Sequence, residues 1–111
     1  MPKKEIFPFN PEYTPRPVHP GRTLISELKA RGLVQLHFHQ MIGTSPYSVR
    51  EILRERVGIS PDMAYRLGKY FGTGTDYWMT LQKNYDLAMI ELKYRDKEPH
   101  VQATPQRKGR R

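Results

Sequence analysis

The side chains best suited to chemistry lie on one face of a short segment that follows Gly43. Successive residues of an α-helix are rotated by about 100°, so Val49 and Ile52 share one apolar face. The opposite direction holds aromatic, polar and charged groups of the kind that contact base edges and phosphates. This outward set, with its flanks, is Tyr47, Ser48, Arg50, Glu51 and Arg54.

Such a face has the chemistry needed to read DNA. Arg50 can donate two hydrogen bonds to guanine, Glu51 can accept one from cytosine, and Tyr47 can pack on a thymine methyl or reach a phosphate. One helix fits the width of the DNA major groove. An ordinary helical hairpin with a solvated outer face has the same pattern, and the pattern alone does not separate the two interpretations.

A helix–turn–helix would position this face. Phe38, Met41 and Ile42 recur at helical spacing before Gly43, which can adopt the positive φ that ends a helix. Ser45 is a favourable N-cap, and Pro46 follows at the first helical position, where its missing N–H is not needed. The sequence therefore predicts two short helices joined by a tight turn.

Three further helices are predicted around this unit. One begins at Pro20 and runs to about Arg31. Another follows the N-cap Ser60 and stops at Gly72, and the last begins at Thr75. Together with the helix–turn–helix, these segments predict an all-α domain of five helices.

The last helix carries an apolar stripe at steps of three and four residues. Such a stripe is usually core, yet a domain of about 75 residues buries only some 60% of its unfolded surface and is marginally stable alone. A two-fold dimer is the commonest assembly, so we expect this helix to form a dimer seam. The predicted contacts are Trp78, Leu81, Tyr85, Met89 and Leu92.

The net charge of +8 is concentrated at one end of the chain. Residues 93 to 111 carry seven Lys or Arg and two Asp or Glu, which amounts to +5. We predict that residues 95 to 111 form a basic, disordered tail. The tail is either simply solvated or adds salt-sensitive, sequence-independent affinity for phosphates.

Residues 1 to 18 form a proline-rich arm, and residues 1 to 20 contain six of the ten prolines. Proline fixes φ and removes a hydrogen-bond donor, so no regular element is expected there. Ile6, Phe7 and Phe9 are unusually apolar for a flexible leader. They either lie along the domain, remain disordered, or dock on a partner and order upon binding.

Several classes of protein are disfavoured by the composition. The chain has no cysteine, so it has neither a disulfide framework nor a thiolate metal site. His37 and His39 are two residues apart on a helix and cannot share a metal, and no nucleophile–base–acid set can be assembled. We therefore expect no enzyme activity and no cofactor. Prolines interrupt the N-terminus and no run of about 18 apolar residues occurs, so we expect a cytoplasmic protein without a membrane span.

Residues 19 to about 92 resemble the HigA antitoxin family of lambda-repressor-like (Xre-type) helix–turn–helix proteins. The motifs that carry the resemblance are His19-Pro20-Gly21, Ile59-Ser60-x-Asp62-Met63-Ala64-x-Arg66-Leu67, Tyr70-Phe71-Gly72-Thr73 and Trp78-x-x-Leu81-Gln82-x-x-Tyr85-Asp86-Leu87. The resemblance implies a five-helix DNA-binding domain, residues 19 to 94, that dimerises through its C-terminal part. It further implies repression of the protein's own operon at a palindromic operator, and neutralisation of a RelE-like, mRNA-cleaving toxin of the HigB type.

The resemblance also assigns roles to individual residues. Gln35 would contact phosphate, and residues 45 to 48, 50 and 51 would face the DNA. Arg54 and Arg56 either pair with phosphates or are solvated. The full set of predicted DNA-binding residues is Gln35, Ser45, Pro46, Tyr47, Ser48, Arg50, Glu51, Arg54 and Arg56.

Five residues depart from the family pattern. Pro46 and Tyr47 differ from the polar pair that many relatives use to read bases. Val34 stands where a capping Ser or Thr is usual, and His39 stands where a small residue is usual. Glu55 replaces a frequent glycine, which predicts a longer recognition helix. A stand-alone regulator without a toxin, and a protein-interaction module that has lost DNA binding, are the alternative functions.

Overall fold

A computed structural model describes residues 16–95 and residue 102 of the 111-residue chain. Its five helices are α1 (Pro20–Ala30), α2 (Gln35–Ile42), α3 (Pro46–Leu53), α4 (Pro61–Phe71) and α5 (Thr75–Tyr94). No strand occurs among the described residues. The five-helix, all-α prediction is therefore confirmed, whereas the proline-rich arm and the basic tail lie almost wholly outside the described residues.

Three of the five helices, α1, α3 and α4, begin after a residue whose side chain caps the first turn. Ser45 Oγ accepts a hydrogen bond from the N–H of Ser48 at 3.1 Å, and Ser60 Oγ accepts one from the N–H of Met63 at 3.1 Å. These bonds satisfy N–H groups that have no partner within the helix. At the start of α1, the same role is taken by His19, whose Nδ1 accepts a hydrogen bond from the N–H of Gly21 at 2.9 Å.

Two helices end in left-handed glycines. Gly43, after α2, has φ 72°, and Gly72, after α4, has φ 75°. A residue with a Cβ rarely adopts this conformation, so glycine allows the chain to turn sharply at both points. The turn at Gly43 leads directly into Ser45 and α3.

The core is formed by one face of each helix. Aromatic rings join three of the helices, because Phe71 lies 5.7 Å from Phe38 and 5.8 Å from Trp78 between ring centroids. Burial of such rings contributes a large share of the stability of a small domain. The buried apolar residues are Leu24, Leu28, Phe38, Ile42, Val49, Ile52, Ile59, Met63, Ala64, Leu67, Phe71 and Trp78.

The burial of Trp78 corrects the predicted dimer seam. Its side chain is 0% exposed, and its Nε1 donates a hydrogen bond to Thr73 Oγ1 at 3.0 Å. Trp78 is therefore a core residue of a single copy, and its assignment as a dimer contact is wrong. Leu81 also packs against the core, whereas Met89 and Leu92 are 41% and 42% exposed.

The interior glycine of α4 allows two segments to meet at backbone distance. A Cβ built on Gly68 would lie 2.4 Å from the carbonyl carbon of Gly74. No heavy atom can be accommodated so closely, so only glycine lets α4 approach the start of α5 here.

None of the described helices is long and apolar enough to cross a membrane.

Candidate nucleic-acid interface

The exposed side of α3 is dominated by Tyr47 and Arg50. Tyr47 is 60% exposed, and the guanidinium carbon of Arg50 lies 5.6 Å from the centroid of the Tyr47 ring. This is within the range of a cation–π interaction. The two side chains therefore support each other and present a combined aromatic and cationic surface to solvent.

A groove beside this surface brings α2 and α3 together. Gln35, at the start of α2, and Pro46, Arg50 and Arg54 of the α3 region all line it. Four of the nine predicted DNA-binding residues thus border one concave site. The other lining residues are apolar: Ile25, Val34, Leu36, Val49 and Leu53.

The first turn of α2 has no side-chain cap. Val34 occupies the N-cap position in an extended conformation and makes no capping hydrogen bond, as its residue type predicts. The first N–H groups of a helix carry a partial positive charge and lack partners within the helix. Exposed Gln35 lies directly at this end of α2.

Ser45 and Ser48 are hydrogen-bonded to each other at the start of α3. Besides the capping bond, their hydroxyl oxygens lie 2.9 Å apart at hydrogen-bond distance. Ser45 is exposed and Ser48 is half-buried. Their main observed role is to define the start of α3.

Glu51 does not belong to the outward face. Its residue is 6% exposed, and its Oε2 lies 3.7 Å from Nη1 of Arg56. The chain turns directly after α3, where the N–H of Arg56 donates to the carbonyl oxygen of Glu51 at 2.9 Å. The prediction that Glu51 points outward to accept from cytosine is therefore wrong, and Arg56 is paired with Glu51.

The prediction of a longer recognition helix is also wrong. α3 ends at Leu53, and Glu55 adopts a left-handed conformation with φ 61°. Its carboxylate accepts a hydrogen bond from Nε of Arg22 at 3.1 Å. Glu55 thus makes the same turn that a glycine would make, and an ion pair with the first turn of α1 accompanies it.

His39 also departs from the family pattern. It is half-buried, and its Nδ1 atom is fully buried without a hydrogen-bond partner. No group of three or more His, Cys, Asp or Glu side chains that could hold a metal ion occurs within the part of the chain that the structure describes.

One side chain that contacts the helix–turn–helix is not evident from the sequence pattern. Arg66 of α4 donates hydrogen bonds from Nη1 to the carbonyl oxygens of Ile42 and Gly43, both at 2.9 Å. These are the carbonyls of the turn between α2 and α3. The available signal was the acidic residue Asp62, four positions earlier, which accepts from Arg66 Nε at 2.9 Å.

Comparison with known proteins places this geometry among antitoxins and regulators. No family model matches the chain. A curated relative from Dichelobacter nodosus, virulence-associated protein I, is 41% identical over 75 residues, which cover 67% of this chain and 69% of the relative. Two solved structures are similar as well.

The first is the antitoxin HigA of Pseudomonas aeruginosa with the higBA promoter, which is 37% identical with a TM-score of 0.68; the match covers 78% of this chain and 100% of that one. The second is the antitoxin GraA in complex with its operator, which is 33% identical with a TM-score of 0.68; the match covers 83% of this chain and 98% of that one. By its five-helix fold and by these similarities, the chain belongs to the HigA antitoxin family of lambda-repressor-like helix–turn–helix proteins.

Proposed function

We propose that this protein is a sequence-specific DNA-binding antitoxin that represses its own operon and neutralises a RelE-like, mRNA-cleaving toxin. The observation that carries the proposal is the Tyr47–Arg50 surface on a capped α3, beside a groove that Gln35 and Arg54 also line. Two proteins of similar fold were solved with promoter or operator DNA, which supports the same use of this surface here.

Each exposed group suits a different part of the duplex. Arg50 can donate two hydrogen bonds to O6 and N7 of guanine, and the Tyr47 ring can pack on a thymine methyl. Gln35 and Arg54 flank α3, where they can contact phosphates and set the register of the helix in the groove. The contact between Arg50 and Tyr47 reduces the number of orientations that Arg50 must lose on binding.

A dimer would place two recognition helices on one face of the DNA. Successive major grooves on one face are about 34 Å apart, so two copies fit a palindromic operator. The exposed Met89 and Leu92, with half-buried Tyr85, offer an apolar surface on α5 for the second copy. Their burial would remove apolar area from water and favour association.

The assignment of a toxin as partner rests on the family. The similar structures are described as antitoxins, and we extend that role to this chain. We further propose that this toxin is of the HigB type. Co-purification of a small basic ribonuclease with the tagged protein would support this part, and its absence would favour a stand-alone regulator.

A gel shift tests the DNA-binding part of the proposal. The probe is the duplex upstream of the protein's own gene, with a scrambled duplex of equal composition as control, across a salt series. A truncation after Tyr94 removes the basic tail. We expect a preference for the upstream duplex that survives truncation. Binding without preference that vanishes with the tail would refute the proposal, because non-specific affinity would then come from charge alone.

A further inference from the structure

A side chain of α4 is hydrogen-bonded to the turn of the helix–turn–helix. Nη1 of Arg66 donates to the carbonyl oxygens of Ile42 and Gly43, at 2.9 Å each. The last carbonyl groups of a helix have no partner within the helix, and a cation there also interacts favourably with the helix dipole. Arg66 therefore closes the C-terminal end of α2 from a different helix.

The guanidinium is itself held in orientation. Its Nε donates to Oδ2 of Asp62 one turn earlier on α4, at 2.9 Å. The guanidinium is planar, so fixing Nε also fixes the direction of Nη1. Asp62 thus aims the other side of the group at the turn.

Gly43 is adapted to this contact as well as to its positive φ. A Cβ at Gly43 would lie 3.1 Å from Nη1 of Arg66, which is tighter than an ordinary contact. Glycine at position 43 therefore serves the turn in two ways: it adopts the left-handed conformation, and it leaves space for the guanidinium of Arg66. Ser45, which caps α3, comes only two residues after Gly43.

We propose that Arg66 is a positioning residue for DNA recognition, which sets the direction in which α3 leaves the turn. Tyr47 and Arg50 lie in the first two turns of α3, so a small change in the turn displaces both relative to base edges. Hydrogen bonds to bases require donor–acceptor distances of about 2.7–3.2 Å, whereas attraction to phosphates tolerates larger shifts. Loss of Arg66 therefore reduces sequence preference more than overall affinity. This inference rests on the proposed function, because it presupposes base reading by α3.

The test compares three variants in the gel shift, using the upstream and scrambled duplexes. Arg66→Lys keeps the charge but loses the planar fork of donors. Arg66→Ala removes both the charge and the hydrogen-bond donors. Lys69→Ala is the matched control, because it removes one charge from an exposed position of the same helix. We expect both Arg66 variants to lower the ratio of specific to non-specific affinity by about tenfold, comparable to one mismatched base pair, and Lys69→Ala to change it less than about twofold.

A second measurement separates positioning from a general loss of stability. Ile59→Val removes one buried methyl group near the start of α4, away from the turn, and should lower stability without lowering the affinity ratio. In addition, amide hydrogen exchange of residues 43 to 50, other than Pro46, should accelerate in Arg66→Lys by about tenfold while the exchange of α5 is unchanged.

The outcomes are distinguishable. If the wild-type protein shows no preference for the upstream duplex, the proposed function fails and the inference fails with it. If the wild-type preference is retained in Arg66→Lys, or if specific and non-specific affinity fall in parallel in that variant, the inference alone is refuted.

Discussion

Gln82 of α5 is hydrogen-bonded to the backbone of Ile59, 23 residues earlier in the chain. The N–H of Ile59 donates to Oε1 of Gln82 at 2.6 Å. A Cβ at Gly58 would lie 2.6 Å from the same oxygen, so the glycine leaves room for the contact. The loop before α4 is thereby attached to α5.

Replacing Gln82 should show how much this attachment contributes to stability. Gln82→Ala leaves the partly buried N–H of Ile59 without its partner, so we expect the free energy of unfolding to fall by about 1–2 kcal/mol in urea titrations. Asp86→Ala is the control, because it removes only the exposed hydrogen bond from Gln82 Nε2 at 2.9 Å and should cost less than about 0.5 kcal/mol. Equal losses in the two variants would contradict the assigned role.

The left-handed Glu55 provides a second prediction. Glu55→Gly relieves a strained φ of 61°, which should stabilise the folded state by about 1 kcal/mol. The same change removes an exposed ion pair that contributes about 0–1 kcal/mol. It also raises the conformational entropy of the unfolded chain, which lowers stability. We expect a net change below about 1 kcal/mol in denaturant unfolding. Glu55→Val should be clearly less stable, because a β-branched residue tolerates positive φ poorly. Equal stability of the two variants would argue against the left-handed turn.

The contact between Gly68 and Gly74 predicts an unusual effect of alanine. Alanine is favoured over glycine within a helix by about 1 kcal/mol, yet we expect Gly68→Ala to lower the melting temperature, because its Cβ would overlap the backbone of Gly74. Gly32→Ala is the control: Gly32 has φ 67° and no atom near its missing Cβ, so only the cost of the left-handed conformation applies. A stabilised Gly68→Ala variant would exclude the close approach.

Substitutions of Trp78 and Leu92 should affect different properties, namely folding stability for Trp78 and dimer formation for Leu92. Trp78→Phe loses buried volume and the hydrogen bond to Thr73, and we expect it to lower the unfolding free energy by about 1–3 kcal/mol. Leu92→Lys alters an exposed side chain and should leave the fold intact while it weakens the proposed dimer. Sedimentation velocity reports association, and circular dichroism reports folding. An unchanged dimer in Leu92→Lys would locate the seam elsewhere.

Arg50 and Glu51 are neighbours in sequence, but we expect only Arg50 to contribute to DNA binding. Arg50→Ala should weaken binding to the upstream duplex by about 1–3 kcal/mol if Arg50 reads a base, measured by fluorescence anisotropy. Glu51→Gln should leave the sequence preference unchanged and lower stability, because the side chain is buried beside Arg56. Equal weakening of Arg50→Ala on scrambled DNA would identify a phosphate contact instead.

Much of the fold could be predicted from short stretches of sequence. The starts of α3 and α4 follow from Ser45 and Ser60, each succeeded by proline, and the ends of α2 and α4 follow from Gly43 and Gly72. The outward positions of Tyr47 and Arg50 follow from helical periodicity alone. These features depend on backbone and side-chain groups a few residues apart, which sequence spacing describes directly.

Only the tertiary structure shows which side chains are buried by other parts of the chain. Periodicity places Glu51 outward, but its side chain is buried and lies 3.7 Å from Nη1 of Arg56. The apolar stripe of α5 does not reveal that Trp78 is enclosed by its own core, and spacing shows nothing of the bonds from Arg66 to the turn. The physical reason is that burial and hydrogen bonding between helices depend on contacts between residues distant in sequence, whereas caps and periodicity are local.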